Sequence, residues 1–334
     1  MRRLVWIVVV LAVLWCGWWW VSAQRLERGI TDTLVALEAE GWRTELGGVA
    51  VSGFPGALEA TVTNVALSDD LTGTGLAIDR FDLSAPAYWP GDMTLSVPDR
   101  PVVLIRPTGP LFLHPKDAAA VLSLHPGPSL ELVTLSATSA GWALETPEGN
   151  VLSATELRFG LTQDAEARET YKIELAAASF VPGEVIRTAM ALPDGWPQAF
   201  EAFWVDVRVT FDRPLDRRSL DERVPQLRQI AILEWDLAWG DLRATAEGAV
   251  QFDAGGVPQG EVLLRVERWR DILDRAATAG VVDAGQRVQV ELVLNALANL
   301  GGSTETLNLP VAFRGGEMFL GPILLGPAPR LVLN

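Results

Sequence analysis

The chain has 334 residues, a net charge of −15 and an apolar share of 49%, with one cysteine. A surface this acidic repels phosphate backbones, which argues against nucleic-acid binding, and one cysteine permits no intramolecular disulfide. Arginine outnumbers lysine 25 to 2, a bias that carries no functional reading.

Residues 4–23 form a run of twenty without a charge, long enough at helical rise to cross a hydrocarbon core of about 30 Å. Leu4 opens the run, and Trp15, Trp18, Trp19 and Trp20 lie near its end, where amphipathic indoles suit a membrane–water interface. Two other fates compete with an uncleaved anchor over residues 1–24. Val21-Ser22-Ala23 would suit a signal peptidase cutting before Gln24, and Cys16 raises the question of a lipoprotein. The run is longer than the usual apolar core of a cleaved signal, about 7–15 residues, and bulky Trp15 precedes the cysteine. Arg2 and Arg3 place the amino terminus on the cytoplasmic side, so the rest of the chain is expected in the periplasm as the ectodomain of a single-pass inner-membrane protein.

Residues 25–41 read as a stalk helix, with Leu26, Ile30, Leu34 and Leu37 on one stripe and Gly41 as its stop. From Trp42 the apolar period becomes two, broken by a turn at residues 53–56. Pro115 and the segment "KDAAAVLSL" read as a helix start, and short turns are expected within residues 183–202. Alternation is clearest further on. Phe203, Val205, Val207, Val209 and Phe211 share one face, followed by Ala231, Leu233, Trp235, Leu237 and Trp239. Leu242 to Phe252, Val262 to Val266, Val288 to Leu294 and Leu307 to Phe313 repeat the pattern. Residues 268–280 carry a helical stripe of Trp269, Ile272, Leu273 and Ala276.

The expected fold is mostly β, of the α+β class. An N-terminal transmembrane helix precedes a long curved antiparallel sheet with a few packed helices. The ectodomain divides into β-rich halves at 42–190 and 191–334, the second carrying the helix near 268–280.

Catalytic motifs are missing. No GxSxG elbow, P-loop, HExxH or CxxC occurs, and "TGTGLA" at residues 72–77 lacks the third glycine of a dinucleotide loop. His114 and His125 are expected at opposite ends of one short helix, about 15 Å apart, too far to share an ion. Asp69, Asp70 and the acidic residues of 164–169 read as solvated loop charges more readily than as a calcium site. No catalytic residue, metal site or cofactor is therefore expected. Eight tryptophans outside the anchor read mostly as core, with Trp204 standing out on the polar face of its strand.

"VSGFPGALEATVTNVAL", "LEWDLAWGDLRATAEGAVQFDAGGVPQGEVLLRVERWRDILDRAATAG" and the ending "LNLPVAFRGGEMFLGPILLGPAPRL" resemble the bacterial domain of unknown function 2125 family across nearly the whole chain. That family offers no catalytic residues to carry over. The second of these segments is also similar, more distantly, to the AsmA-like envelope proteins. That resemblance implies an inner-membrane anchor, a periplasmic β-sheet curled around an apolar groove, and a role in lipid movement or outer-membrane assembly. A dozen strands would span only about 58 Å at 4.8 Å per strand, which favours local lipid handling over a complete bridge.

Two functions follow as expectations. The first is a non-enzymatic β-groove that binds phospholipid or another acyl lipid, lined by Val205, Val207, Trp235, Leu237, Val290 and Leu292. The second is a structural or assembly scaffold of the envelope that binds a membrane-protein partner.

Overall fold

The structure is a computed structural model and describes residues 2–39, 41–190, 195–221, 223–278, 284–300 and 305–333. Its first element is a single helix, α1 (Arg2–Ala39), in which the apolar run and the stalk stripe are continuous. The junction at residue 24 expected between anchor and stalk does not interrupt it, because no glycine or proline breaks residues 18–39 except Gly29, which the helix tolerates. Gly41 ends the helix as expected, with φ +99° and its amide donating to the Glu38 carbonyl at 3.0 Å. Leu26, Ile30, Leu34 and Leu37 form the half-buried face. Among the described residues no helix is long and apolar enough to cross a membrane. The side chains of Leu4, Val5 and Val8 lie outside what is described, so the run at residues 4–23 is only partly in view.

The remainder is mostly β. The strands are β1 (Trp42–Ser52), β2 (Ala57–Asp69), β3 (Thr74–Pro86), β4 (Asp92–Val97), β5 (Val102–Ile105), β6 (Leu111–Lys116), β7 (Ala118–Leu124), β8 (Leu132–Ser139), β9 (Gly141–Thr146) and β10 (Gly149–Ala154). They continue as β11 (Glu156–Gln163), β12 (Thr170–Ala178), β13 (Val181–Pro182), β14 (Ala202–Phe211), β15 (Leu227–Trp239), β16 (Leu242–Phe252), β17 (Pro258–Glu267), β18 (Thr306–Arg314), β19 (Glu317–Leu320) and β20 (Ile323–Pro327). Short helices α2 (Glu184–Ala189) and α3 (Arg218–Asp221) precede the longer α4 (Trp269–Thr278) and α5 (Ala284–Leu300). Every described pairing is antiparallel.

Two compact units result, Met1–Leu124 with Ala137–Pro147, and His125–Ser136 with Glu148–Asn334. The boundary expected at 190/191 falls inside the second unit. In the first unit β1, β2 and β3 make long hairpins with register from Trp42↔Asp69 to Ala57↔Pro86. In the second, β11, β12, β14, β15, β16, β17 and β18 pair in succession.

Two expected elements differ. "KDAAAVLSL" is strand β7, paired with β4 from Asp92↔Ser123 to Val97↔Ala118, and no helix starts at Pro115. Asp117, at φ +47°, turns the chain between β6 and β7, and pairing with β4 overrides the helical preference of three alanines. Val288 to Leu294, read as a strand, lies within α5. Over a longer window Val290, Leu294, Leu297 and Ala298 recur at helical spacing, and they pack on Trp269, Leu273 and Leu307.

Candidate functional site

Cross-strand register in the second unit lines up apolar residues in rows perpendicular to the strands. One row runs Leu161, Ile173, Val207, Ile232, Gly248, Val262 and Val311. The next contains Phe159, Leu175, Val205 and Trp235 and, across the irregular stretch between β15 and β16, Ala246, Leu264 and Leu309; a third contains Leu157 and Ala177 and, past the last β12–β14 pair, Phe203, Leu237, Ala244, Val266 and Leu307. Side chains directly opposite in a sheet point to the same face, so these rows form one apolar surface seven strands wide.

A β-bulge keeps β15 in this frame. Val207 pairs with Ile232 while Asp206 pairs with Glu234, so β15 carries one extra residue there. Before the bulge its inward residues are Ile230 and Ile232, and after it they are Trp235 and Leu237. The expected frame of Ala231 and Leu233 is therefore out of step, and Leu233 is exposed.

Different parts of the surface are covered differently. At the third row α4 and α5 bury Leu307 beneath Trp269, Leu273, Leu297 and Ala298. An aromatic group covers the β14–β15 side of that row: Phe180 stacks on Phe203 at 5.0 Å, and Phe200 on Trp239 at 4.7 Å. Near the first row Val209, Leu227, Val250 and Phe252 form a second buried cluster. The chain beyond β20 passes close by as a strap. The Leu331 amide donates to the Gly256 carbonyl at 2.9 Å, and Gln226 exchanges two hydrogen bonds with the Leu333 backbone at 2.7 and 3.2 Å. In the middle row all seven residues are half-buried, as are six of the seven in the first row, and Leu309 packs on the helix-covered cluster.

Four of the six residues expected to line a groove are on this surface: Val205 pairs with Trp235, Phe203 with Leu237, and Val207 with Ile232. Val290 and Leu292 are not on it as strand residues. Both lie on α5, where Val290 packs on the helix-covered cluster and Leu292 is 64% exposed. The sheet's covering helix, not its strand, supplies them.

Charged residues occupy the other face. Lys172 sits between Glu174 at 2.7 Å and Asp206 at 3.2 Å, and these two carboxylates hold its ammonium above the usual lysine range. A cleft of about 190 Å³ lies beside the bulge, lined by Leu233, Glu234, Thr245, Glu247 and Arg265 among others. It is smaller than the usual small-molecule pocket of about 300–1,000 Å³, and Trp235 and Ala246 of the apolar face also line it. Trp204 is half-buried there, paired with Ala176 and Asp236.

The titratable candidates have local partners. His114 lies 3.4 Å from Glu145, and the His125 amide donates to the Glu131 carbonyl at 2.8 Å. Asp69 accepts from the Leu71 amide and the Thr72 hydroxyl, and those bonds hold its carboxyl below the usual range. Asp164 likewise accepts the amides of Glu166 and Ala167. Among the described residues no three His, Cys, Asp or Glu side chains gather as a metal set.

The first unit holds a second grouping that sequence reading did not anticipate. The indole of Trp15 donates to the Pro55 carbonyl at 3.0 Å, that of Trp18 to Ala87 at 3.0 Å, and that of Trp19 to Ala57 at 2.7 Å. Trp19 also meets Phe54 edge-on, 5.4 Å between centroids. Ala23 packs with Leu58 and Ala87 in a small core beside Trp19, Leu26 and Val51. Three tryptophans on one helix beside two uncharged aromatic turns were the available signal.

An N-terminal helix followed by an antiparallel, mostly-β body with a broad one-sided apolar sheet defines the class of protein. The chain belongs to the bacterial family described as "Uncharacterized protein conserved in bacteria (DUF2125)", whose profile matches residues 19–329. No curated protein matches the chain significantly.

Proposed function

We propose that this protein is a membrane-anchored, non-enzymatic component of the cell envelope whose second unit binds or handles lipid on its apolar sheet. The middle row of that sheet carries the reading: Val205, Trp235 and Leu264 sit in a seven-strand apolar surface and are only half-buried. A sheet face of this breadth is ordinarily buried against another layer, and acyl chains are an apolar cover for such a face. The distant resemblance to the AsmA-like envelope proteins points the same way. The twenty uncharged residues at 4–23 support a single-pass inner-membrane anchor, and Arg2 and Arg3 support a cytoplasmic amino terminus with a periplasmic body. The ligand is then phospholipid or another acyl lipid.

Native mass spectrometry of the full chain from mild detergent, with lipid extraction from a 24–334 fragment, tests this. A stoichiometric lipid is expected, and lost when Val205 and Trp235 are replaced by glutamate. A well-folded, lipid-free fragment would refute it. A scaffold that docks a membrane protein is the second reading, favoured by the exposed Val288 and Leu292 on α5; crosslinking from those positions to one partner would select it.

A further inference from the structure

If α1 is the anchor, a reading on which this inference rests, the hydrogen bonds of its tryptophans create a problem of depth. Residues 6, 7 and 9–14 carry exposed apolar side chains, including Trp6, Ile7, Leu11 and Leu14. From Leu4 to Leu14 the helix rises only about 16 Å, roughly half of a 30 Å hydrocarbon core. The rest of the uncharged run, from Trp15 to Ala23, lies alongside the turns at residues 53–56 and 87–90. A helix that uses all of residues 4–23 therefore carries these turns to the membrane with it.

Both turns are built for that position. Residues 46–58 and 83–91 contain no charge, and Glu59 and Asp92 are the first charges beyond them. Two charge-free segments thus meet beside the anchor. At their tips Phe54 is 54% exposed and Tyr88 is 72% exposed, aromatic residues of the type that favours the headgroup level. Their backbone is prepared as well. Carbonyls that enter a layer poor in water must find donors in the protein, and the carbonyls of Pro55, Ala57 and Ala87 receive indole N–H groups from α1. The Ala57 and Ala87 amides in turn donate to Gly53 at 2.9 Å and Gly56 at 3.0 Å.

We propose that the turns at residues 53–56 and 87–90 form a collar against α1 that is embedded in the outer leaflet of the phospholipid bilayer, with Phe54 and Tyr88 inserted among its acyl groups. The collar fixes the first unit rigidly at the membrane surface, so the body does not swing on a free stalk.

Single-site fluorophore labelling of the full chain in phosphatidylethanolamine–phosphatidylglycerol vesicles tests this. In a Cys16→Ala background, an environment-sensitive label is placed through Phe54→Cys, Tyr88→Cys, Leu11→Cys or Leu71→Cys. Leu71 is the aqueous control, 93% exposed at the far end of β2, about 40 Å along the strand from the collar. Labels at 54 and 88 are expected to emit blue-shifted from that at 71, and to be quenched by lipids brominated on the acyl chain. The label at 11 should be quenched by lipids brominated deep in the chain. Water-like emission at both 54 and 88, with 11 in the hydrocarbon, would overturn the collar and leave the anchor standing. Water-like emission at 11 as well would overturn both.

Discussion

Tyr171 has no exposed surface, and its hydroxyl oxygen accepts from the Leu215 amide at 2.9 Å and from the Gln163 side chain at 3.3 Å. Tyr171→Phe removes that oxygen alone, keeping the ring and its edge-on contact with Phe211 at 6.0 Å. Gln163 still donates to the Arg168 carbonyl at 2.7 Å, so its loss is small. The Leu215 amide loses its acceptor, and a buried donor stranded in this way costs about 1–3 kcal/mol. In a unit of roughly 200 residues each kcal/mol moves Tm by about 2–4 °C, so a fall of about 2–12 °C is expected. Burial pushes the Tyr171 hydroxyl above the usual tyrosine range, so the group stays neutral and the cost should be equal in mildly acidic and mildly alkaline buffer. Scanning calorimetry of the full chain reads the fall, and amide exchange at Leu215 reads its local cause. An unchanged Tm with unchanged exchange at Leu215 would refute the reasoning.

Three further outcomes follow from particular contacts. Leu297→Ala should cost about 2–5 kcal/mol in urea unfolding, because its side chain is buried against Trp269 and Leu307, while Leu292→Lys should stay within about 0.5 kcal/mol; equal costs would restore a strand reading of this segment. For Asp212, burial raises the carboxyl pKa, but the bonds from Arg223 and the Gln226 amide outweigh it and hold the group below the usual range. A depressed folded value contributes stability above the unfolded value of about 3.9, lost as pH falls through the folded value. Asp212→Asn should thus destabilise at neutral pH with the gap closing in acid, and a gap that widens in acid would contradict this. At Gly256, with φ +73°, a methyl group would overlap the Leu331 carbonyl. Gly256→Ala should cost about 1–3 kcal/mol and speed amide exchange at Leu331 and Leu333; unchanged exchange there would mean the strap is not held at this point.

Period-two alternation made most of the sheet legible. Phe203 to Phe211 and residues 242–252 appear as β14 and β16 with the expected faces, because a half-covered strand must alternate. Residue types also favour the turn after β16, where two glycines follow Asp253, whose carboxylate accepts the Gly255 and Val257 amides. Three features escaped. The bulge in β15 has no sequence mark, as it exists only relative to β14 and β16. Residues 288–294 satisfy both periods, and only the position of Trp269 selects the helix. The alanines of β7 favour a helix locally and yield to pairing with β4.

Composition and pattern alone determined that the chain is acidic, free of disulfides, headed by an uncharged run and built mostly of one-sided strands, because each follows from residue type and spacing. Tertiary structure decided which residues of the apolar rows the helices bury and which carbonyls the tryptophans of α1 meet. Both depend on register between segments far apart in sequence, a relation that no local period encodes.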